Sequence, residues 1–124
     1  MEDRAANITI GNQDFTMVLT TRATKEIAKR YGGLQNLGDK LMKSEDFEQA
    51  LDEIVWLICL LCNQGVQIHN FNNPNDKQEL LSEETVELLT TPSDLAVYKD
   101  AIMAAMFKGT KREVESEDAS SKNA

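Results

Sequence analysis

From Phe47 to Cys62 the residues Phe47, Ala50, Leu51, Ile54, Val55, Ile58, Leu61 and Cys62 fall at i, i+3, i+4, i+7 without a miss. That is the repeat of a helix with one buried face. Ser44 stands where an N-cap is needed, and Glu45 and Asp46 would sit in the first turn against the helix dipole. The first half is two-faced, with Glu48, Gln49, Asp52 and Glu53 expected in water. From Val55 onward Trp56, Leu57, Cys59 and Leu60 make the segment apolar on every side, so it has to be enclosed by its own domain or by a partner. Asn63 and Gly65 are expected to close this helix, and Val66 to Lys77, dense in Asn and containing Pro74, reads as a loop.

The rest of the chain supplies short elements that could cover such a helix. Ile8, Ile10, Phe15, Met17 and Leu19 alternate with polar residues around Gly11-Asn12-Gln13-Asp14, which predicts a β-hairpin over about 7–20 with one apolar face. An isolated hairpin is marginal in water, so that face must lie against helices. Thr20 or Thr21 can cap a helix carrying Ala23, Ile27 and Tyr31 on one stripe, with Lys25, Lys29 and Arg30 in water and Gly32-Gly33 at its end. Leu34, Leu37 and Leu41 suggest a second short helix, although Gly38 within it costs about 1 kcal/mol relative to alanine. Ser82 caps a short helix from Glu83 to Leu89. Thr91-Pro92-Ser93-Asp94 starts the last one, with Leu95, Tyr98, Ile102, Ala105 and Met106 on one stripe and an end near Gly109.

At 124 residues and 41% apolar, the chain can build one hydrophobic core and is too short for two ordinary domains. The expected fold is mainly α with an N-terminal β-hairpin, a small single-domain helical bundle over residues 1–109. Residues 110–124, rich in charge and carrying Val114 as their one large apolar side chain, are expected to form a disordered acidic tail. A formal charge of −8 disfavours nucleic acid as a partner. Nothing in Met1 to Asn7 resembles a secretory signal. The longest uninterrupted apolar run, Val55 to Cys62, is far short of the ~20 residues that span a bilayer. A cytoplasmic protein without a membrane span is expected.

Catalytic chemistry has little to draw on. Cys59 and Cys62 have the C-x-x-C spacing of zinc and redox sites, but His69 is the only histidine, and the pair lies deep in an apolar helix rather than at a helix N-terminus where the dipole lowers a thiol pKa. Core packing explains them better, and free thiols are expected. His69 stands in an Asn-rich segment with no acidic or nucleophilic neighbour in sequence. Asp52 and Glu53, and Glu83, Glu84 and Glu87, fall at helix starts and on polar faces, where solvated charge is the ordinary reading. No phosphate-binding, dinucleotide-binding, nucleophile-elbow or H-E-x-x-H motif is present. No catalytic residue, metal or cofactor is assigned. The unexplained excess of apolar side chains at Trp56, Leu57 and Leu60, and at Met103, Met106 and Phe107, points to a partner-binding or self-association surface, methionine-rich helices being adaptable ones.

Ile8-Thr9-Ile10 with Gly11-Asn12-Gln13, then Phe15-Thr16-Met17 and Thr20-Thr21-Arg22-Ala23, followed by an amphipathic helix ending in Gly32-Gly33, resembles the opening of the tail assembly chaperones of long-tailed bacteriophages and related prophages. The likeness continues into Trp56-Leu57 in a long helix after an acidic stretch and into a polar, acidic C-terminus, covering most of the first 110 residues as a pattern. The resemblance implies a mainly helical fold with an N-terminal hairpin. It implies a protein acting in the host bacterial cytoplasm, holding the tape measure protein soluble, assisting polymerisation of the tail tube protein, and absent from the mature virion. It also implies a longer frameshifted form, and codons for Ser121-Lys122-Asn123 can contain a slippery heptamer. The competing reading is a structural head–tail or tail completion protein retained in the particle as a ring; a further alternative is an unrelated bacterial adaptor.

Overall fold

A computed structural model describes residues 5–33, 36–37 and 47–106. Among these, an antiparallel hairpin of β1 (Ala5–Ile10) and β2 (Gln13–Val18) precedes four helices: α1 (Thr21–Tyr31), α2 (Phe47–Asn72), α3 (Glu83–Leu89) and α4 over residues 92–106. The mainly helical fold with an N-terminal hairpin is therefore as expected. Asn36 and Leu37 are also helical, and Leu37 is fully buried. Leu34, Leu41 and Ser44, the helix end near Gly109 and the tail 110–124 lie outside the described residues.

The hairpin turns on Gly11-Asn12 alone, with Ile10 opposite Gln13 and Ile8 opposite Phe15. Gln13 and Asp14, expected in the turn, belong to β2 instead. Gly11 has φ +64°, the left-handed region that glycine enters without penalty. Ile8, Ile10, Phe15 and Met17 are buried on one face. On the other, Thr9 Oγ1 donates to Asp14 Oδ1 at 2.6 Å and Thr16 Oγ1 to Asn7 Oδ1 at 3.0 Å, so the polar side of the pleat is stitched across the strands. Thr20 caps α1 by accepting from Ala23 N at 3.0 Å, and its hydroxyl donates to the buried Gln64 Oε1 at 2.6 Å. One hydroxyl thus starts α1 and ties that start to α2. Gly32, at φ +85°, ends α1 with its N–H on the Ala28 carbonyl.

The long helix departs most from expectation. It does not close at Asn63 and Gly65 but continues to Asn72, 26 residues and about 39 Å. Gly65 is a packing residue: a Cβ built there would stand 2.3 Å from the Thr16 carbonyl oxygen, so the bare Cα lets β2 lie directly against the helix. The asparagines have a second use. Asn63 and Asn70 each clamp the returning segment as a backbone partner would. Asn63 Nδ2 donates to Leu81 O at 2.9 Å while Leu81 N donates to Asn63 Oδ1 at 2.7 Å. Asn70 does the same with Gln78, at 3.0 and 2.8 Å. Residues 78–81 therefore run back along α2 with the N–H and C=O of Gln78 and Leu81 satisfied by side chains of the helix.

By length and composition alone α2 could cross a bilayer, which the uninterrupted run from Val55 to Cys62 did not reveal. Here it is the centre of the core. Ile54, Leu57, Ile58, Leu61 and Cys62 are packed with the hairpin face, with Ala23 and Ile27 of α1, Val86 of α3, and Leu95, Ile102 and Ala105 of α4. Most of the all-round apolar half is enclosed by its own domain, with Trp56 and Leu60 left partly exposed. Ser82 caps α3 by accepting from Thr85 N at 3.1 Å. Thr91 and Asp94 cap α4 reciprocally, Asp94 N donating to Thr91 Oγ1 at 3.2 Å and Thr91 N to Asp94 Oδ2 at 2.9 Å.

Candidate functional site

Three arrangements could take part in recognition. The first lies where the start of α2 meets the α3–α4 junction. The sharp link at Thr90-Thr91, held by Thr90 Oγ1 on Val86 O at 2.6 Å and by the α4 cap, leaves a groove of about 220 Å³. Leu51, Val55 and Leu95 give it an apolar base, and the exposed Pro92, Glu48, Asp52 and Glu87 stand around it. Among the described residues none of those three carboxylates forms an ion pair. Phe47, one helical turn before Leu51 on the same stripe, is 67% exposed. Leu88, next to Glu87, is 75% exposed.

The second arrangement lies along the outer edge of β1. Asn7, Ile8, Thr9 and Asp14 face Val97, Tyr98 and Ala101 of α4 across a shallow space of about 660 Å³. Tyr98 OH donates to the Thr9 carbonyl at 2.6 Å, occupying part of the strand edge. Partial burial, with Asp94 adding to it, raises the Tyr98 pKa and keeps that hydroxyl a donor. Val97 beside it is 65% exposed.

The third is polar. Glu53, expected in water, is only 8% exposed. It accepts hydrogen bonds from Tyr31 OH and from Arg30 Nε, the latter at 3.0 Å. Arg30, also expected to point into water, lies 4.4 Å from the Trp56 ring centroid, and Tyr31 meets Trp56 edge-on at 6.0 Å. Glu53 holds the Arg30 guanidinium more firmly protonated than usual. Burial, reinforced by Glu53, pushes the Tyr31 phenol well above its ordinary range. The cluster pins the end of α1 to α2.

The residues singled out from sequence are therefore scattered. Leu57 is fully buried and Met106 nearly so, both in the core, so packing alone accounts for their apolar character. Trp56, Leu60 and Met103 are half-buried at its edge, with Trp56 covered by Arg30. Phe107 lies outside the described residues. What sequence reasoning missed is the exposed set, Phe71, Leu88, Phe47 and Val97 above all. Phe47 shares the spacing of the core stripe and so reads as buried, and Leu88 sits on a helix too short to bury more than the one face that Val86 occupies.

Cys59 and Cys62 are free and buried. Burial pushes both thiols up to about 12, with Glu83 and Glu87 adding to the effect at Cys59. They are protonated at neutral pH, the opposite of what a thiolate ligand or nucleophile needs. His69 belongs to the last turn of α2 rather than to a loop, with Nε2 2.9 Å from the Asp76 carbonyl and 3.6 Å from its carboxylate. Among the described residues no group of three or more His, Cys, Asp and Glu side chains is placed to hold a metal ion. Comparison with protein-family models, with curated proteins and with solved structures finds no match to this chain.

Proposed function

We propose that this protein is a client-binding assembly factor of the tail-assembly-chaperone type, which holds the tape measure protein soluble and assists tail tube assembly in the host cytoplasm before the virion is complete. The observation that carries the binding reading is the set of large apolar side chains left in solvent, Phe71, Leu88, Phe47 and Val97 foremost, with Phe47 one helical turn from a groove lined by Leu51, Val55 and Leu95. A formal charge of −8 would keep a complex with an apolar client in solution.

The class of client comes from the resemblance. A hairpin leading through Thr20-Thr21-Arg22-Ala23 into a helix stopped at Gly32-Gly33 is the layout on which it rests. The test is co-expression with the longest open reading frame downstream of the gene, followed by affinity capture and a solubility assay. A long product that becomes soluble and co-purifies supports the chaperone reading. A product that stays insoluble and unbound, together with this chain appearing in the mass spectrum of purified virions, replaces it with a structural head–tail or tail completion role.

A further inference from the structure

We propose that the groove between the first half of α2 and the α3–α4 junction seats a basic amphipathic helix of a partner protein, with an apolar side chain in the groove and Lys or Arg side chains on Glu48, Asp52 and Glu87. The proposal rests on the binding reading above for the existence of a partner, and on the chemistry of the groove for what that partner is like. At about 220 Å³ the space is below the ~300 Å³ at which small-molecule sites begin, and it suits inserted side chains rather than a whole ligand. Leu51, Val55 and Leu95, buried or partly buried, make its base apolar, the exposed Pro92 adds an apolar side, and the exposed Phe47 continues the Leu51–Val55 track by one helical turn.

Charge fixes the other half of the partner. Three exposed carboxylates that form no ion pair among the described residues border an apolar patch, so an acidic segment would be repelled and a basic one attracted, while a neutral one would gain nothing from them. Cations placed on either side of an apolar anchor satisfy both features together. The walls are helices that spend their backbone hydrogen bonds internally, so they offer no strand edge, and the fitting mode is a helix laid in a groove. The space beside β1 is less suited to this role, because Tyr98 already holds the Thr9 carbonyl there.

A fluorescent synthetic peptide of Leu and Lys at i, i+3, i+4, i+7 spacing, titrated into the full chain and followed by anisotropy, tests the assignment. Saturable binding is expected, weakened about tenfold by Asp52→Lys with Glu87→Lys, and weakened less by the milder Asp52→Asn with Glu87→Gln. Circular dichroism establishes that the variants fold. Equal weakening by Glu79→Lys with Asp100→Lys, outside the groove lining, would reduce the effect to bulk charge and overturn the proposal. So would a tenfold gain in affinity on changing Lys108, Lys111 and Arg112 to Glu, which would make the chain's own C-terminal segment the occupant. In co-expression, a groove-reversed chain that still solubilises the downstream product overturns the groove and leaves the chaperone reading standing. Groove-dependent peptide binding by a wild-type chain that leaves that product insoluble supports the groove and removes only the chaperone reading.

Discussion

Replacing Gly65 with alanine separates two physical effects of opposite sign. In a helix interior the change alone stabilises by about 1 kcal/mol, because glycine loses more backbone entropy on folding. At Gly65 the new Cβ would lie 2.3 Å from the Thr16 carbonyl oxygen and 3.4 Å from its carbon. A relaxed carbon-to-oxygen approach is nearer 3.3–3.6 Å, so β2 and α2 must part by about 1 Å. The obstacle is backbone, which cannot rotate away, and the strand carries the buried Phe15, Met17 and Val18. A gap of that size forfeits a quarter to a half of their dispersion contacts, and overpacking of this sort costs on the order of 3 kcal/mol. The net expectation is a loss of about 2 kcal/mol. With an m-value of about 2 kcal/mol per molar, the urea midpoint should fall by about 1 M. Urea titration followed by Trp56 fluorescence and far-ultraviolet circular dichroism measures it, and hydrogen exchange should quicken first in the hairpin amides. A midpoint that stays level or rises would mean that helix propensity governs the site and that the close approach of β2 is not what Gly65 is for.

The other expectations concern the polar contacts and the thiols. Arg30→Ala should destabilise by about 1–2 kcal/mol, a modest figure because the Arg30 side chain is 37% exposed and partly screened, and should change Trp56 emission by uncovering the ring; unaltered emission would place Arg30 elsewhere in solution. Asn63→Ala removes both bonds to the Leu81 backbone and should cost about 2 kcal/mol, with the Leu81 amide exchanging faster than its neighbours; unchanged exchange there would refute the clamp. Cys59 and Cys62 should resist a thiol-reactive disulfide reagent at neutral pH until the chain unfolds. Their raised pKa values set the sign of the alkaline response. The unfolded thiols ionise near the usual 9.0 while the folded ones hold their protons to about 12, so stability should be intact below pH 9 and decline across that interval, with Tyr31 acting in the same direction. A urea midpoint that rises between pH 9 and pH 11 would contradict this.

Local chemistry was legible because it acts over a few residues. The alternation of Ile8 and Ile10 against Phe15 and Met17, the caps at Thr20, Ser82 and Thr91, and the stop at Gly32 each need only a neighbour within about four positions or across a tight turn. The i, i+3, i+4 stripe of α2 likewise announced a helix, whatever packed against it. Among the candidate contact residues chosen for excess apolarity, Leu57 and Met106 belong to the core while Trp56, Leu60 and Met103 keep part of their surface in water. Along one apolar stripe, sequence cannot tell Ile54, which the core needs, from Phe47, which it leaves in water.

The sequence by itself determined that this chain would be a hairpin followed by helices, because turn chemistry, capping and hydrophobic period are properties of adjacent residues. Tertiary structure decided where α2 ends, which way Glu53 points and where a groove is left open. Each of those depends on partners far along the chain: Thr16 against Gly65, Thr20 against Gln64, Arg30 against Glu53, Thr9 against Tyr98. A glycine or an asparagine reads as a helix stop until the backbone it must approach or clamp is brought beside it, and only the closed fold brings it there.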